Sequence, residues 1–361
     1  MGRRFALALV CLGVTASPAA AQPRTAKAVR DSLQTLLTAL DAQKKFHGVV
    51  LLAEGGTIVH HTAHGLAHQG YQVPNRLDTK FNLASVGKTF TAIAIGQLVE
   101  QGKLRFTDTL IRILPNYPNP EIARKVTIAQ LLTHRSGMGL YWEKLFDGNW
   151  TAVRSISDLV PFFAKDTLQF EPGSKWFYSN TGFAVLAMVI EKVSGEDYFS
   201  YLKKHVFQPL GMTDTDFYSL DVDVPNIAVG YYRDDQGTLK NNLFTHTVRG
   251  SGAGGGFSTA PDLLKWAEGL MTNKILGKAV SAQMFSRQTE TGGGPGGYGY
   301  GFFAQDRDGQ TINGHTGGFP GITTLFFFSP TNRRVAIVMS NFPGPETRQM
   351  MGLLNAYLTA Q

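Results

Sequence analysis

Apolar residues recur at helical spacing near the start of the chain, at Val29, Leu33, Leu36, Leu37 and Leu40, which predicts an amphipathic helix. Gly48 to Glu54 and Thr57 to His64 then read as two strands turned on Gly55-Gly56, a hairpin. Ser85 to Glu100 is a strongly apolar helical stretch closed by Gly102 and Lys103. Between about 104 and 290 the pattern is mostly helix and loop. Phe183 to Val193 is apolar nearly all round and stops at Gly195, the mark of a buried helix. Gly250 to Gly256 is a glycine-rich loop ahead of Thr259-Ala260-Pro261-Asp262, a capping-box start for a further helix. Strand character returns in Tyr298–Ala304, Thr311–Thr316, Ile322–Ser329 and Arg334–Ser340, separated by Asp-Gly and Pro-Thr-Asn turns. A last helix carries Met350, Leu353, Leu354, Tyr357 and Leu358 on one face. The expected fold is α/β (α+β): an antiparallel sheet built from both termini, flanked by helices, with an inserted helical lobe.

The first residues change the picture at one end only. Arg3-Arg4, the apolar run Phe5 to Val14 and Ala19-Ala20-Ala21 have the layout of a signal peptide over residues 1–21, which predicts export to the periplasm or the exterior. That run is too short to span a membrane, which takes about 20 apolar residues. The only cysteine, Cys11, falls inside it, so a processed chain has no disulfide, thiol nucleophile or Cys-based metal site. Residues 22–361 are expected to form a single domain, its sheet lobe from about 28–80 and 291–361 and its helical lobe from about 81–290. With 43% hydrophobic and 17% charged residues the chain is globular. The net charge of +7 is scattered, without the runs or basic faces that nucleic-acid binding requires.

The most informative segment is Asn82-Leu83-Ala84-Ser85-Val86-Gly87-Lys88-Thr89. Its Gly-Lys-Thr invites comparison with a nucleotide-binding loop, but that motif needs a glycine where Asn82 stands. Ser-x-x-Lys at a helix N-terminus is chemically coherent. Positions i and i+3 share a helix face, so the Lys88 amine can reach the Ser85 hydroxyl. Burial against an apolar helix lowers the lysine's pKa and lets it accept a proton. The helix end supplies backbone donors for a developing oxyanion. A metal site at His60, His64 and His68 is disfavoured, because Ile58, Val59 and Thr62 read as strand and Gly65 with Gly70 breaks any helix. No Gly-x-Ser-x-Gly elbow is present, which argues against an α/β-hydrolase.

Two further motifs follow in order: Tyr178-Ser179-Asn180, and His315-Thr316-Gly317 among the terminal strands. With Ser-x-x-Lys they resemble the serine β-lactamase and penicillin-recognising D-Ala-D-Ala peptidase superfamily, in its class C branch, over roughly residues 30–355. Lesser phrases agree, among them Leu131-Leu132-Thr133-His134-Arg135-Ser136-Gly137 and Pro209-Leu210-Gly211-Met212-Thr213. The resemblance implies a serine hydrolase working through an acyl-enzyme, with Ser85 as nucleophile and Lys88 and Tyr178 sharing the proton work. It implies substrate contacts from Asn180, His315, Thr316 and Gly317, and an oxyanion hole made by the backbone N–H groups of Ser85 and Gly318. It leaves open whether Lys88 or Tyr178 is the acylation base. Neither cofactor nor metal is expected, and the partner is a small ester or peptide, with cell-wall fragments among its sources.

His315 stands where most β-lactamases carry lysine. A largely neutral imidazole offers an anionic antibiotic less than an ammonium does, so small esters or D-amino-acid peptides are expected ahead of β-lactams, with acid pH helping anionic substrates. Arg307, in Asp306-Arg307-Asp308-Gly309, is expected to face solvent. A sensor that acylates without turnover is the non-enzymatic alternative. The presence of all three motifs argues against it.

Overall fold

A computed structural model describes residues 25–146, 150–291 and 296–360. The signal-peptide segment lies outside the described residues. Among the described residues no helix is long and apolar enough to cross a membrane.

Eight strands form one sheet: β1 (Gly48–Glu54), β2 (Thr57–His64), β3 (Thr289–Glu290), β4 (Gly297–Tyr298), β5 (Phe303–Arg307), β6 (Gln310–Phe319), β7 (Ile322–Ser329) and β8 (Arg334–Ser340). Their spatial order is β2-β1-β8-β7-β6-β5-β4-β3, and every neighbouring pair is antiparallel. The N-terminal hairpin thus joins the C-terminal strands through β1 and β8, in register from Gly48 opposite Ser340 to Glu54 opposite Arg334.

Strand β1 is buried on both faces, and the period of two divides its side chains between two cores. Val50 and Leu52 meet helices α1 (Ala26–Ala42) and α5 (Glu346–Thr359) on the outer face. Val29, Leu33, Leu37 and Leu40 of α1 and Met350, Leu354, Tyr357 and Leu358 of α5 supply that layer, the residues the sequence pattern singles out. Val49, Leu51 and Ala53 point inward to α2 (Lys88–Glu100) and the helical lobe. Helix α3 (Asn180–Ser194) packs beside α2 and is buried nearly all round. It ends at Gly195, whose left-handed φ of 76° closes the helix.

Two expectations need correction. The run Tyr298–Ala304 is not one strand but a hairpin from β4 into β5, with Tyr298 opposite Phe303. Its turn uses Gly301 at φ +82°, where a Cβ would lie 2.3 Å from that of Ala92. Arg307 is not part of a turn. The turn is Asp308-Gly309 alone, both at positive φ as a tight hairpin requires, which leaves Arg307 as the last residue of β5, half-buried, with Nε donating to Gln305 Oε1. The capping box at Thr259 is half formed at the start of α4 (Ala260–Met271). Thr259 Oγ1 accepts from Asp262 N, while the Asp262 carboxylate accepts from Asp214 N and Thr215 Oγ1.

Candidate active site

Ser85 lies on a single 3₁₀ turn, Ala84–Gly87, that leads into α2. Ala84 is held at φ +43°, unusual for a residue with a Cβ, and its N–H donates to Asn82 Oδ1 at 2.8 Å. Glycines let two other segments reach this turn. Gly255 N donates to Ala84 O at 3.2 Å, and a Cβ on Gly254 would stand 2.1 Å from that same oxygen. A Cβ on Gly317 would stand 2.2 Å from Leu83 O, so β6 runs flush against the turn. The glycine-rich loop is therefore a packed wall of the site.

Lys88, one turn on, is wholly buried. Its Nζ reaches Ser85 Oγ at 3.2 Å, Asn180 Oδ1 at 2.7 Å and Ala253 O at 2.6 Å. Burial without a carboxylate holds its pKa well below that of an ordinary lysine. The geometry suits the neutral amine. Its two N–H bonds go to the two carbonyl oxygens, which can only accept, and its lone pair is left facing the Ser85 hydroxyl. Tyr178, half-buried, lies beside Ser85, and burial raises its phenol pKa above the ordinary value while the Ser85 hydroxyl lowers it in part. The two groups are thus shifted in opposite directions.

Asn180 is the first residue of α3, and Ser179 rather than Asn180 caps that helix, its Oγ accepting from Gly182 N at 2.9 Å. Ser85, Lys88, Tyr178 and Asn180 are thus brought together. Ser85, Tyr178 and Asn180, with Thr316, Gly317 and Gly318 on β6, line one cavity of about 910 Å³. Its wall includes Leu140, Trp142, Tyr218, Leu220 and Phe319. Among the described residues the charged side chains in the lining are Arg307 and Arg348. Arg348 belongs to α5, on the sheet face away from α2.

His315 departs from expectation. The ring is 1% exposed, with Nε2 at 2.9 Å from Tyr298 Oη and Nδ1 at 2.6 Å from Thr316 O. Burial and the nearby Lys88 push its pKa down to about 3. The imidazole therefore has no free nitrogen for a substrate, and acid pH in the working range cannot charge it. The ring faces Tyr178 and Tyr298, and the residue still lines the cavity.

Sequence reasoning assigned no role to His134, Tyr298 or Ala253. Ala253 acts through its carbonyl, which no side-chain pattern reveals. His134 sits inside the Leu131–Gly137 phrase between Thr133 and Arg135, and its place in that phrase was its only signal. Of the three histidines spaced by four, His60 and His64 lie on β2 and His68 on the short strand Leu66–His68, with His64 Nδ1 paired to Asp41 at 2.7 Å. Among the described residues no group of three or more His, Cys, Asp or Glu is placed to hold a metal ion.

The "Beta-lactamase" family model matches residues 33–360. Penicillin-binding protein 4* of Bacillus subtilis is 33% identical over 329 residues, spanning 86% of this chain and 72% of that protein. Esterase EstB of Burkholderia gladioli is 30% identical over 303 residues, 73% of this chain and 76% of that protein. The crystal structure of a penicillin binding protein from Bacillus halodurans superposes with a TM-score of 0.80 at 31% identity, covering 88% of this chain and 98% of the other.

Proposed function

Since the chain belongs to the beta-lactamase family of serine hydrolases, we propose that it is an exported enzyme that cleaves small uncharged esters or D-amino-acid amides through an acyl-enzyme on Ser85. The observation that carries this reading is the buried Lys88 amine, with two N–H bonds occupied by Asn180 Oδ1 and Ala253 O and the third direction aimed at Ser85 Oγ.

In acylation the Ser85 proton passes to Lys88 Nζ while Oγ attacks the carbonyl carbon. The backbone N–H groups of Ser85 and Gly318 receive the oxyanion. Tyr178 gives its phenolic proton to the leaving oxygen or nitrogen, so Lys88 is the base and Tyr178 the acid. In deacylation the Tyr178 phenolate takes a proton from the attacking water, and the Lys88 ammonium returns its proton to Ser85 Oγ. Asn180 orients Lys88 and, through its amide nitrogen, the substrate carbonyl. Thr316 and Gly317 offer the strand edge.

The substrate class is supported by the aromatic and aliphatic side chains of the cavity wall and by His315, which supplies no cation for a carboxylate. An apolar acyl group is accommodated, and esters are favoured over anionic β-lactams. Export rests on the layout of residues 1–21. The test uses fluorophosphonate labelling, intact mass and a panel of p-nitrophenyl butyrate, nitrocefin and D-Ala-D-Ala peptide. Ser85→Ala is expected to lose both labelling and turnover while its circular dichroism is unchanged. Full labelling of Ser85→Ala would overturn the nucleophile, and nitrocefin hydrolysed faster than the ester would overturn the substrate class.

A further inference from the structure

Three side chains behind the reacting groups form a chain whose proton order is fixed at both ends. His134 Nδ1 lies 3.1 Å from Ser179 N, a backbone group that can only donate, so Nδ1 carries no proton and Nε2 does. His134 Nε2 then donates to Tyr298 Oη at 3.2 Å. At the other end His315 Nδ1 lies 2.6 Å from Thr316 O, which can only accept, so Nδ1 is protonated and Nε2 is the acceptor. Tyr298 Oη must then donate to His315 Nε2, across 2.9 Å. Every bond runs one way, from Ser179 N–H to Thr316 C=O, and all three side chains are buried to 1% exposure or less.

The two backbone ends belong to the two walls of the site. Ser179 separates Tyr178 from Asn180. Thr316 precedes Gly317 and Gly318, two residues with little intrinsic preference for one backbone conformation. His134 also stacks on the Tyr178 ring, with centroids 4.3 Å apart, and its main chain accepts from Phe177 N at 2.9 Å. It is held at φ +59°, a costly conformation for a residue with a Cβ. We propose that His134, Tyr298 and His315 are positioning residues for the hydrolase reaction, a directional hydrogen-bond strut that fixes the Tyr178–Asn180 segment relative to the strand carrying the oxyanion-hole glycine.

The inference rests on the hydrolase reading for its kinetic consequence but not for its structure. Burial lowers the pKa of both imidazoles, and Lys88 facing them from α2 adds to this when it is protonated. Tyr178 is the titratable neighbour of Tyr298, whose phenol burial holds protonated. The strut therefore stays neutral and ordered while Lys88 changes charge.

The full chain with ¹⁵N-labelled histidine is examined by imidazole NMR, with His134→Gln and His315→Gln for assignment. His134 is expected as the Nε2–H tautomer and His315 as Nδ1–H, both unchanged from pH 5 to 8, and Tyr298→Phe is expected to shift both rings. The reverse tautomer in either ring, titration inside that window, or a shift confined to one ring overturns the strut. For its role, Tyr298→Phe is expected to lower kcat by up to about 100-fold with KM nearly unchanged, the cost of a small misplacement at a reacting centre. Wild-type kcat overturns it. Where Tyr298→Phe fails to fold, His315→Asn keeps a donor for Thr316 O and His315→Gln an acceptor for Tyr298. His315→Asn is expected to retain more kcat, and equal losses or the opposite order overturn the role. Wild-type labelling at Ser85 is measured alongside. Its absence would refute the hydrolase reading and leave the tautomers standing.

Discussion

Asn180→Asp isolates the charge state of Lys88 from everything else in the site. The substitution keeps size and shape, but puts a carboxylate where a neutral oxygen now sits 2.7 Å from Nζ. At that distance and an effective dielectric of about 20 the attraction to an ammonium is about 6 kcal/mol. Part of it is cancelled by desolvating the new carboxylate, since Asn180 is only 6% exposed. A rise in the lysine pKa by roughly one to three remains, the usual effect of one close opposite charge. Below that pKa each unit leaves a tenth as much neutral amine, so on the acid limb kcat/KM for p-nitrophenyl butyrate should fall about 10- to 1000-fold. The sign is specific. The acid limb of the pH–rate profile moves to higher pH, and alkaline buffer recovers activity up to a plateau lowered only by lost substrate contacts. A loss of equal size at every pH, with the limb unmoved, would refute Lys88 as the acylation base.

Two further outcomes follow from the same geometry. Lys88→Ala and Tyr178→Phe should each slow acylation by about two or more orders of magnitude, and the double variant should lose far less than their product, because both act on one hydroxyl; multiplicative losses in stopped-flow acylation would count against a shared proton path. The buried neutral imidazoles should also make the fold acid-sensitive. Folded-state pKa values below the unfolded 6.5 mean that stability is full above pH 6.5 and falls as acid protonates the unfolded chain, down towards about 3 for His315. Each of His134 and His315 contributes up to about 1.4 kcal/mol per pH unit in that window. Urea melts between pH 7 and 4.5 should show a shallower dependence for His315→Gln than for wild type, and equal slopes would contradict burial of the neutral ring.

What could be read in the sequence was whatever depends on local spacing. Ser85 and Lys88 meet because three residues make nearly one helical turn, and the amphipathic pattern of α1 and α5 states which face each buries. That one sheet draws on both terminal segments followed from strand-like runs at both ends of the chain, and β1 with β8 is the pair that joins them. What could not be read was set by contacts remote in sequence. His315 was taken for a substrate contact because a strand motif gives its neighbours but not which groups occupy the two imidazole nitrogens. One of those groups is Tyr298, a hydrogen bond away in space. The break after Tyr298 was hidden because aromatic residues suggest a strand on either side of it, whereas Gly301 turns the chain between them. Arg307 was misplaced because a four-residue turn and a two-residue turn look alike in composition.

The pairing of β1 with β8 also dictates an order of events when the chain is made. Residues 48–54 emerge long before the strand they need, which spans 334–340. Until then β1 has unpaired backbone along an edge that will become interior to the sheet, and α1 lacks the α5 surface it packs on. The entropy of closing so long a loop grows only slowly with its length, but contacts this remote in sequence make folding slow. The inserted helical segment, whose contacts such as α2 against α3 need no part of β8, can organise while the sheet waits. A chain interrupted before β8 therefore forfeits an interior strand of its sheet rather than an edge.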